Sequence, residues 1–448
     1  MPSSAEFRTL LVRGGAVRLP DQTTSRADIL VRDGVIDQVG PDLAAPEDAE
    51  VIDATDRLVL PGLVDAHRHM WLGALSAGTS GVPLFTYAQQ INEGYGDAFS
   101  PADVYAGVLW GAVQAINAGV TTVADWAHNL GSAEDVDANV RALTDSGIRA
   151  RLYFGGKVTS SGDFGLFADH VRDMLARHPA GGRLEFGLGV RGPSMSSPRE
   201  TERDFMLARD LGLPISIHAG MAGLPGAVDQ LHEQDLLGPD VNYAHANEFS
   251  VREWELVAQS GGTVTATPTV DLTMGLGVRP ATGPAAAHGV PVGLGADTVA
   301  YGPSDLFGEM RLALAAERID ANAPVVARGE MPSDLAQDHL HLLDVATRGG
   351  ARVLGFDQII GELGPGLRAD LITVDLSGPH LDGFGDPVLA VFLNAGPRDV
   401  DTVIIDGKVL KRGGIMTAPY VEQARRLVRE SRDRIKARRS VGVRSDRR

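Results

Sequence analysis

The chain has no cysteine among its 448 residues. That excludes disulfides, a thiolate nucleophile and any cysteine-held zinc or iron–sulfur centre. A metal in this protein must be held by His, Asp, Glu or a modified Lys. Long apolar runs are also missing: none approaches the roughly 18 consecutive apolar residues of a membrane helix. The first residues, MPSSAEFRTLLVRGG, lack a basic region followed by a long apolar one, so no secretory signal is expected and a cytoplasmic location is the default. Positive charge is scarce. The net charge of −17 argues against a general affinity for nucleic acid. The exception is the end of the chain, where residues 421–448 carry 11 Lys or Arg against 4 Asp or Glu. Aromatic residues do not interleave these charges beyond Tyr420, so this stretch reads as a solvated amphipathic helix with a frayed end rather than a nucleic-acid arm.

What is present is enough apolar residue, 44%, for a large core. The first sixty residues alternate with a period near two and turn at Gly or Asp-Gly: TLLVRGG, ADILVRDG, VIDQVG, EVIDATDRLVLPG. These are short strands. After Pro61 apolar β-branched runs alternate with helical stretches. The strand candidates are GLVDAHRH, GVTTVADW, RARLYFGG, LEFGLGV, PISIHAG, VNYAHAN, GTVTATP and VPVGLGAD, with helices such as PADVYAGVLWGAVQAINAG and AEDVDANVRALTDSG between them. Eight strands alternating with helices predict an α/β fold, a parallel (β/α)8 barrel of the TIM type. From about Gly364 the short-strand rhythm returns in RADLITVD and VDTVIIDGKVLKRGG. The expected organisation is a small β-sandwich domain from residues 1–60 and 365–420, a barrel over 61–364, and a basic helix or tail over 421–448.

In such a barrel function sits at the C-terminal ends of the strands. His67 and His69 end the first barrel strand, His218 the fifth, His245 the sixth and Asp297 the eighth. Residues i and i+2 of a strand share a face, so His67 and His69 can point together into the barrel mouth. An isolated HxH is more often two ordinary strand histidines. All five residues fall independently at strand ends, and that makes a metal site the expected reading. Imidazoles with one carboxylate suit Zn2+ or Fe2+. Such an ion lowers the pKa of bound water, and an adjacent carboxylate can take the proton.

Over nearly its whole length the sequence resembles the amidohydrolase superfamily. LVRGGAVRLP, ADILVRDGVIDQVG and VIDATDRLVLPGLVDAHRH are similar to the entry into these enzymes, and IIGELGPGLRADLITVD with VDTVIIDGKVLKRGG to the exit. The resemblance is strongest to the cytosine deaminase-like group that includes S-adenosylhomocysteine deaminases and triazine hydrolases. It implies one metal held by His67, His69, His218 and Asp297, with His245 beside it and Asp297 doubling as the proton shuttle. Relatives with two metals carry a carboxylated lysine on barrel strand 4. Here LEFGLGVRGPSMSS has none, and the nearest lysine, Lys157, follows strand 3. The resemblance also implies a homodimer.

The sequence departs from this group at barrel strand 5. The deaminases carry HxxE there, and the Glu protonates the substrate ring. Here the stretch is His218-Ala-Gly-Met221, and methionine cannot move a proton. A later HxxE ends in Glu248, read as the start of the following helix. Other candidates for substrate contact are His128 in VADWAHN, Arg191 in GVRGPS, the rings of Trp71 and Trp126, and Tyr301. An always-charged Arg fork suits a carboxylate or polarised carbonyl. Residues 72–100 form a long connection expected to cover the barrel mouth.

The expected function is a metal-dependent hydrolase acting on a C–N bond of a small amide, amidine or amino-heterocycle. One divalent ion is expected, Zn2+ favoured over Fe2+. Asp297 and His245 serve the chemistry, with Arg191 or His128 orienting substrate or assisting the leaving group. The alternatives are a lyase or isomerase in which the metal polarises a carbonyl, and a deaminase with a different proton donor.

Overall fold

The computed structural model describes residues 8–79, 81–156, 168–335, 338–383 and 385–445. Lys157 lies outside the described residues. The chain opens with five short strands, β1 (Leu10–Arg18), β2 (Thr24–Arg32), β3 (Val35–Gly40), β4 (Glu50–Asp53) and β5 (Arg57–Pro61). Eight more follow: β6 (Leu63–Arg68), β7 (Val120–Ala127), β8 (Arg149–Phe154), β9 (Leu184–Gly189), β10 (Ile215–Ala219), β11 (Val241–His245), β12 (Thr263–Ala266) and β13 (Val292–Leu294). These eight close into a parallel barrel with helices between them. The expected (β/α)8 architecture is therefore observed. Strands β6 and β7 are buried at every position, as parallel strands covered on both faces must be.

The last strands are β14 (Leu371–Asp375), β15 (Val400–Ile405), β16 (Lys408–Arg412) and β17 (Ile415–Met416). They join β1–β5 in one nine-stranded sheet in which β14 pairs with β5 and thereby unites the two ends of the chain. This sheet has a core of its own, built from Leu10, Val12, Ile29, Ile36, Leu371 and Ile404.

Arg149, at the start of β8, fastens the sheet to the barrel. Its guanidinium grips Asp370 twice, at 2.8 and 3.0 Å, and reaches Asp406 at 3.3 Å. Arg149 and Asp370 are both almost wholly buried. A fork-to-fork geometry of this kind satisfies charge and hydrogen bonds together.

The basic tail is the expected amphipathic helix: Ala424, Val428 and Ile435 are buried, and most of its charged residues are exposed. Helix Val421–Ser445 lies along helix Pro101–Asn117 and the turn Met70–Leu75. Arg434 and Arg438 converge on Asp103, which is fully buried. Arg432 donates to the carbonyls of Ala74 and Gly73 at 2.8 and 3.2 Å. Arg432 thus caps backbone groups of the segment that follows His69. Among the described residues no helix is long and apolar enough to cross a membrane.

Removing the carboxylate of Asp370 leaves Arg149 buried beside a single remaining acid. Breaking a buried pair from one side costs about 3–5 kcal/mol. We expect Asp370→Ala to lower the free energy of unfolding by about 3 kcal/mol, read as a shift of the urea midpoint. A shift within error would show that Asp406 alone suffices.

Candidate metal centre and substrate cavity

The barrel is closed by its shortest strand. β13 has three residues, and its only ladder pair with β6 is Leu294 with Asp65. Side chain and backbone complete the seam above it. The Asp65 carboxylate accepts from Ala296 N at 3.1 Å and from Arg68 Nη1 at 3.1 Å. Asp297 N donates to His67 O, and His69 N donates to Asp297 O, each at 2.9 Å. Gly295 sits within this seam, where a Cβ would stand 2.5 Å from His67 O, so no larger residue fits. These bonds turn the Asp297 side chain toward the histidines. Its Oδ1 lies 3.2 Å from His69 Nε2 and 3.8 Å from His67 Nε2.

His218, inside β10, and His245, the last residue of β11, complete the cluster. The His67 ring centroid lies 5.0 Å from that of His69, 5.0 Å from that of His218 and 5.7 Å from that of His245. Ligand atoms of His67, His69 and His218 lie within 4.8 Å of one another, as do those of His67, His245 and Asp297. Two members hold strained backbone. Asp297 has φ 54° and His245 has φ 79°, in the left-handed region that non-glycine residues seldom occupy. Such conformations concentrate at functional sites, where the surroundings over-determine them.

The imidazoles are oriented from behind. His69 Nδ1 donates to Trp126 O at 2.6 Å, which leaves Nε2 as the lone-pair nitrogen facing Asp297. His245 Nδ1 meets Asp271 Oδ1 at 2.9 Å and Thr267 Oγ1 at 3.0 Å. Asp271 is itself held by Thr267 N and Thr267 Oγ1. Burial, and then the neighbouring imidazoles, keeps His67 and His218 well below the ordinary imidazole pKa. His245 differs: burial works against its charge, but the Asp271 hydrogen bond and the charges of Asp271 and Asp297 prevail and raise its pKa.

A divalent ion fits this donor set. Both ring nitrogens of His67 are buried without a hydrogen-bond partner among the described residues. An unpaired buried polar group is costly, and here the fully buried imidazole faces three other imidazoles and a carboxylate. The neutral imidazoles are the form that ligates metal.

The cluster opens into a cavity of about 290 Å3. His128 follows β7 directly and lines it, its ring 4.3 Å from that of His69; burial, then His69, lowers its pKa well below the ordinary value. Arg191, two residues past β9, also lines the cavity, with Glu200 at 3.7 Å and Met195 O at 3.5 Å. Met221 occupies the wall, 2% exposed. Part of the connection after the first barrel strand lies at the mouth, as expected: Leu84, Phe85, Tyr87, Asn92 and Glu93 are all in the wall. Of the two tryptophans Trp126 lines the cavity, whereas Trp71 is packed against Phe99 outside it. Tyr301 turns away and bonds Thr273 O. Glu248 is also elsewhere: it is exposed, precedes helix Val251–Ser260 and accepts from Val278 N. Sequence reasoning missed Asp271, Thr267, Tyr87 and Thr298. Tyr87 Oη pairs with Thr298 Oγ1 at 2.7 Å and ties the lid to the segment after Asp297.

Residues 58–410 match the model of the amidohydrolase family. The chain is 31% identical over 425 residues to the 5-methylthioadenosine/S-adenosylhomocysteine deaminase of Halobacterium salinarum, covering 90% of this chain and 93% of that one. Its fold is similar to that of a zinc-bound adenosine deaminase from Xanthomonas campestris, with TM-score 0.81, 23% identity and coverage of 96% and 98%. It is equally similar to a point mutant of the atrazine chlorohydrolase TrzN of Arthrobacter aurescens, crystallised with zinc and atraton, with TM-score 0.81, 23% identity and coverage of 95% and 100%.

Partners that orient a catalytic or metal-bound imidazole are typically worth 10–100-fold in activity or metal affinity. Asp271→Ala should therefore lower kcat about 10–100-fold while leaving the fold intact by circular dichroism. Unchanged kcat would mean that His245 needs no orienting partner.

Proposed function

The chain belongs to the amidohydrolase family, and from that premise we propose that it is a single-metal hydrolase of a C–N bond in a small amino-substituted heterocycle. The observation that carries this reading is the convergence of His67, His69, His218, His245 and Asp297 in one buried cluster at the floor of a cavity. His67, His69, His218 and Asp297 would hold one divalent ion, with Zn2+ favoured and Fe2+ suited to the same donors. When bound, the ion supplies an acidified water and polarises the atom under attack.

The residues of the chain do the rest. Asp297 takes the proton of the attacking water, and its position beside His67 and His69 keeps it within reach of both water and leaving group. His245, pinned by Asp271, presents its other ring nitrogen to the oxygen that gains charge. Arg191 orients an electron-rich edge of the substrate from the opposite wall. The lid, through Leu84, Phe85 and Tyr87, excludes water from the apolar part of the substrate. The walls are rich in Met and Leu, which suits a heterocycle with an apolar substituent. The curated relative acts, by its name, on adenosines carrying thioether groups, and such nucleosides are the first substrates to try. A homodimer, expected from the family resemblance, is checked by light scattering.

Met221 stands where a strand-5 carboxylate would protonate a substrate ring; Glu93 in the lid and His128 are the other titratable groups in the wall. Turnover of a panel of aminopurine nucleosides, aminotriazines and amides in 18O-water tests the reading. We expect ammonia or amine release with labelled product; release without label would favour a lyase. General acid help is worth about 10²–10⁴ in rate. Met221→Glu should therefore raise ring deamination by at least about tenfold, and no gain would show that the proton already comes from elsewhere.

A further inference from the structure

Helix Pro268–Thr273 carries Asp271, the acid that holds His245, and it starts without the cap its own sequence offers. Thr267 precedes the helix, and a threonine at that position ordinarily lends its hydroxyl oxygen to an N–H of the first turn. Here the hydroxyl is engaged elsewhere. It donates to Asp271 Oδ1 at 2.9 Å and stands 3.0 Å from His245 Nδ1. The Thr267 side chain therefore caps no N–H of this helix.

The acceptor comes instead from 40 residues further along the chain. Glu309 Oε2 accepts from Thr269 N at 2.8 Å. Glu309 lies in the first turn of helix Leu306–Ala327 and is 1% exposed. Its other oxygen is buried without a hydrogen-bond partner among the described residues. Burial pushes its pKa up to about 8, with the charges of Asp271 and Asp65 adding to the rise and the bonds from Thr269 opposing it. At neutral pH Glu309 is thus mainly an uncharged acceptor and sets no second negative charge against Asp271. A buried acid of this kind is a costly way to cap a short helix, and an exposed Ser or Asp would serve helix stability alone.

We propose that Glu309 is a positioning residue for His245: by capping helix Pro268–Thr273 in place of Thr267, it leaves the Thr267 hydroxyl and the Asp271 carboxylate to fix the His245 ring. The helix that supplies Glu309 is tied to the other side of the cluster as well. Asp305 caps it by accepting from Gly308 N at 3.0 Å. Just ahead of it, Ser304 O accepts from Arg68 Nη1 at 3.2 Å, and Arg68 stands between His67 and His69 in the chain. One helix start therefore holds His245 through Glu309 and Asp271, and the strand of His67 and His69 through Arg68. An effect on rate rests on the proposed role of His245 in hydrolysis; an effect on the orientation of its ring does not.

The first test needs no substrate. The His245 Nδ1–H, shielded from exchange by its bond to Asp271, is followed by proton NMR of the full-length protein labelled with 15N-histidine and loaded with Zn2+. Its signal is assigned by its loss in His245→Asn. Glu309→Gln keeps a neutral oxygen for Thr269 N and should retain the downfield signal of the wild type. Glu309→Met removes the acceptor at similar volume and should lose the signal or shift it upfield. Thermal melts establish folding. If Glu309→Met does not fold, Glu309→Asp carries the test, since its carboxyl is drawn back by one methylene and the same signal must shift. An unchanged signal in Glu309→Met or Glu309→Asp, or its loss in Glu309→Gln, would overturn the proposal and leave the hydrolase reading standing. The second test uses any substrate the wild type turns over. Glu309→Met should lower kcat about tenfold with KM little changed, and Asp271→Ala/Glu309→Met should be no slower than Asp271→Ala alone. Effects that multiply in the double variant would show that Glu309 does not act through Asp271 and would overturn the proposal.

Discussion

The closure of the barrel between its first and last strands is the constraint on which the rest depends. β13 is too short to hold β6 by its ladder alone. The seam is completed by Asp65 on Ala296 N and by the reciprocal bonds between Asp297 and the backbone of His67 and His69. Those same bonds fix the positions of one carboxylate and two imidazoles. Barrel closure and assembly of the histidine–aspartate cluster thus rest on the same bonds. The cost is visible in the left-handed backbone of Asp297 and in a buried His67 whose ring has no hydrogen-bond partner among the described residues. An ion in the cluster relieves the second cost, so metal and fold are expected to stabilise each other.

From this seam outward the supports form successive layers. Asp271 and Thr267 set the plane of His245, and the Trp126 carbonyl sets that of His69. Beyond them Asp125 accepts from Met70 N at 3.1 Å and fixes the turn that follows His69. The C-terminal helix caps the carbonyls of Gly73 and Ala74 and ties down Asp103. The lid that walls the substrate cavity is anchored between these two supports. The apolar lid and Met221 form the part of the cavity wall that faces the histidine cluster.

Much of this was legible in the sequence because period and spacing are local properties. The eight barrel strands appear in order as apolar β-branched runs, and each residue of the metal cluster sits at or just past a strand end. The small sheet was legible for the same reason, although the sequence could not show that β14 would join β5. Asp271 was not legible. In TPTVDLT nothing distinguishes it from a helix-start acid, and its bond to His245 spans 26 residues and two elements. The amphipathic character of the tail was legible, but not the pairing of Arg434 and Arg438 with Asp103, a buried acid more than 300 residues away. Trp71 and Trp126 have the same composition signal, and only the strand register decides that Trp126 alone faces the cavity.

The central claim is that the five residues at the barrel mouth form a single-metal centre. The most direct measurement is the metal content of the purified protein by inductively coupled plasma mass spectrometry, beside the His67→Ala/His69→Ala variant. About one zinc or iron per chain in the wild type, lost in the variant, is the predicted result. About two ions per chain, or none after reconstitution with Zn2+ and Fe2+, would contradict it.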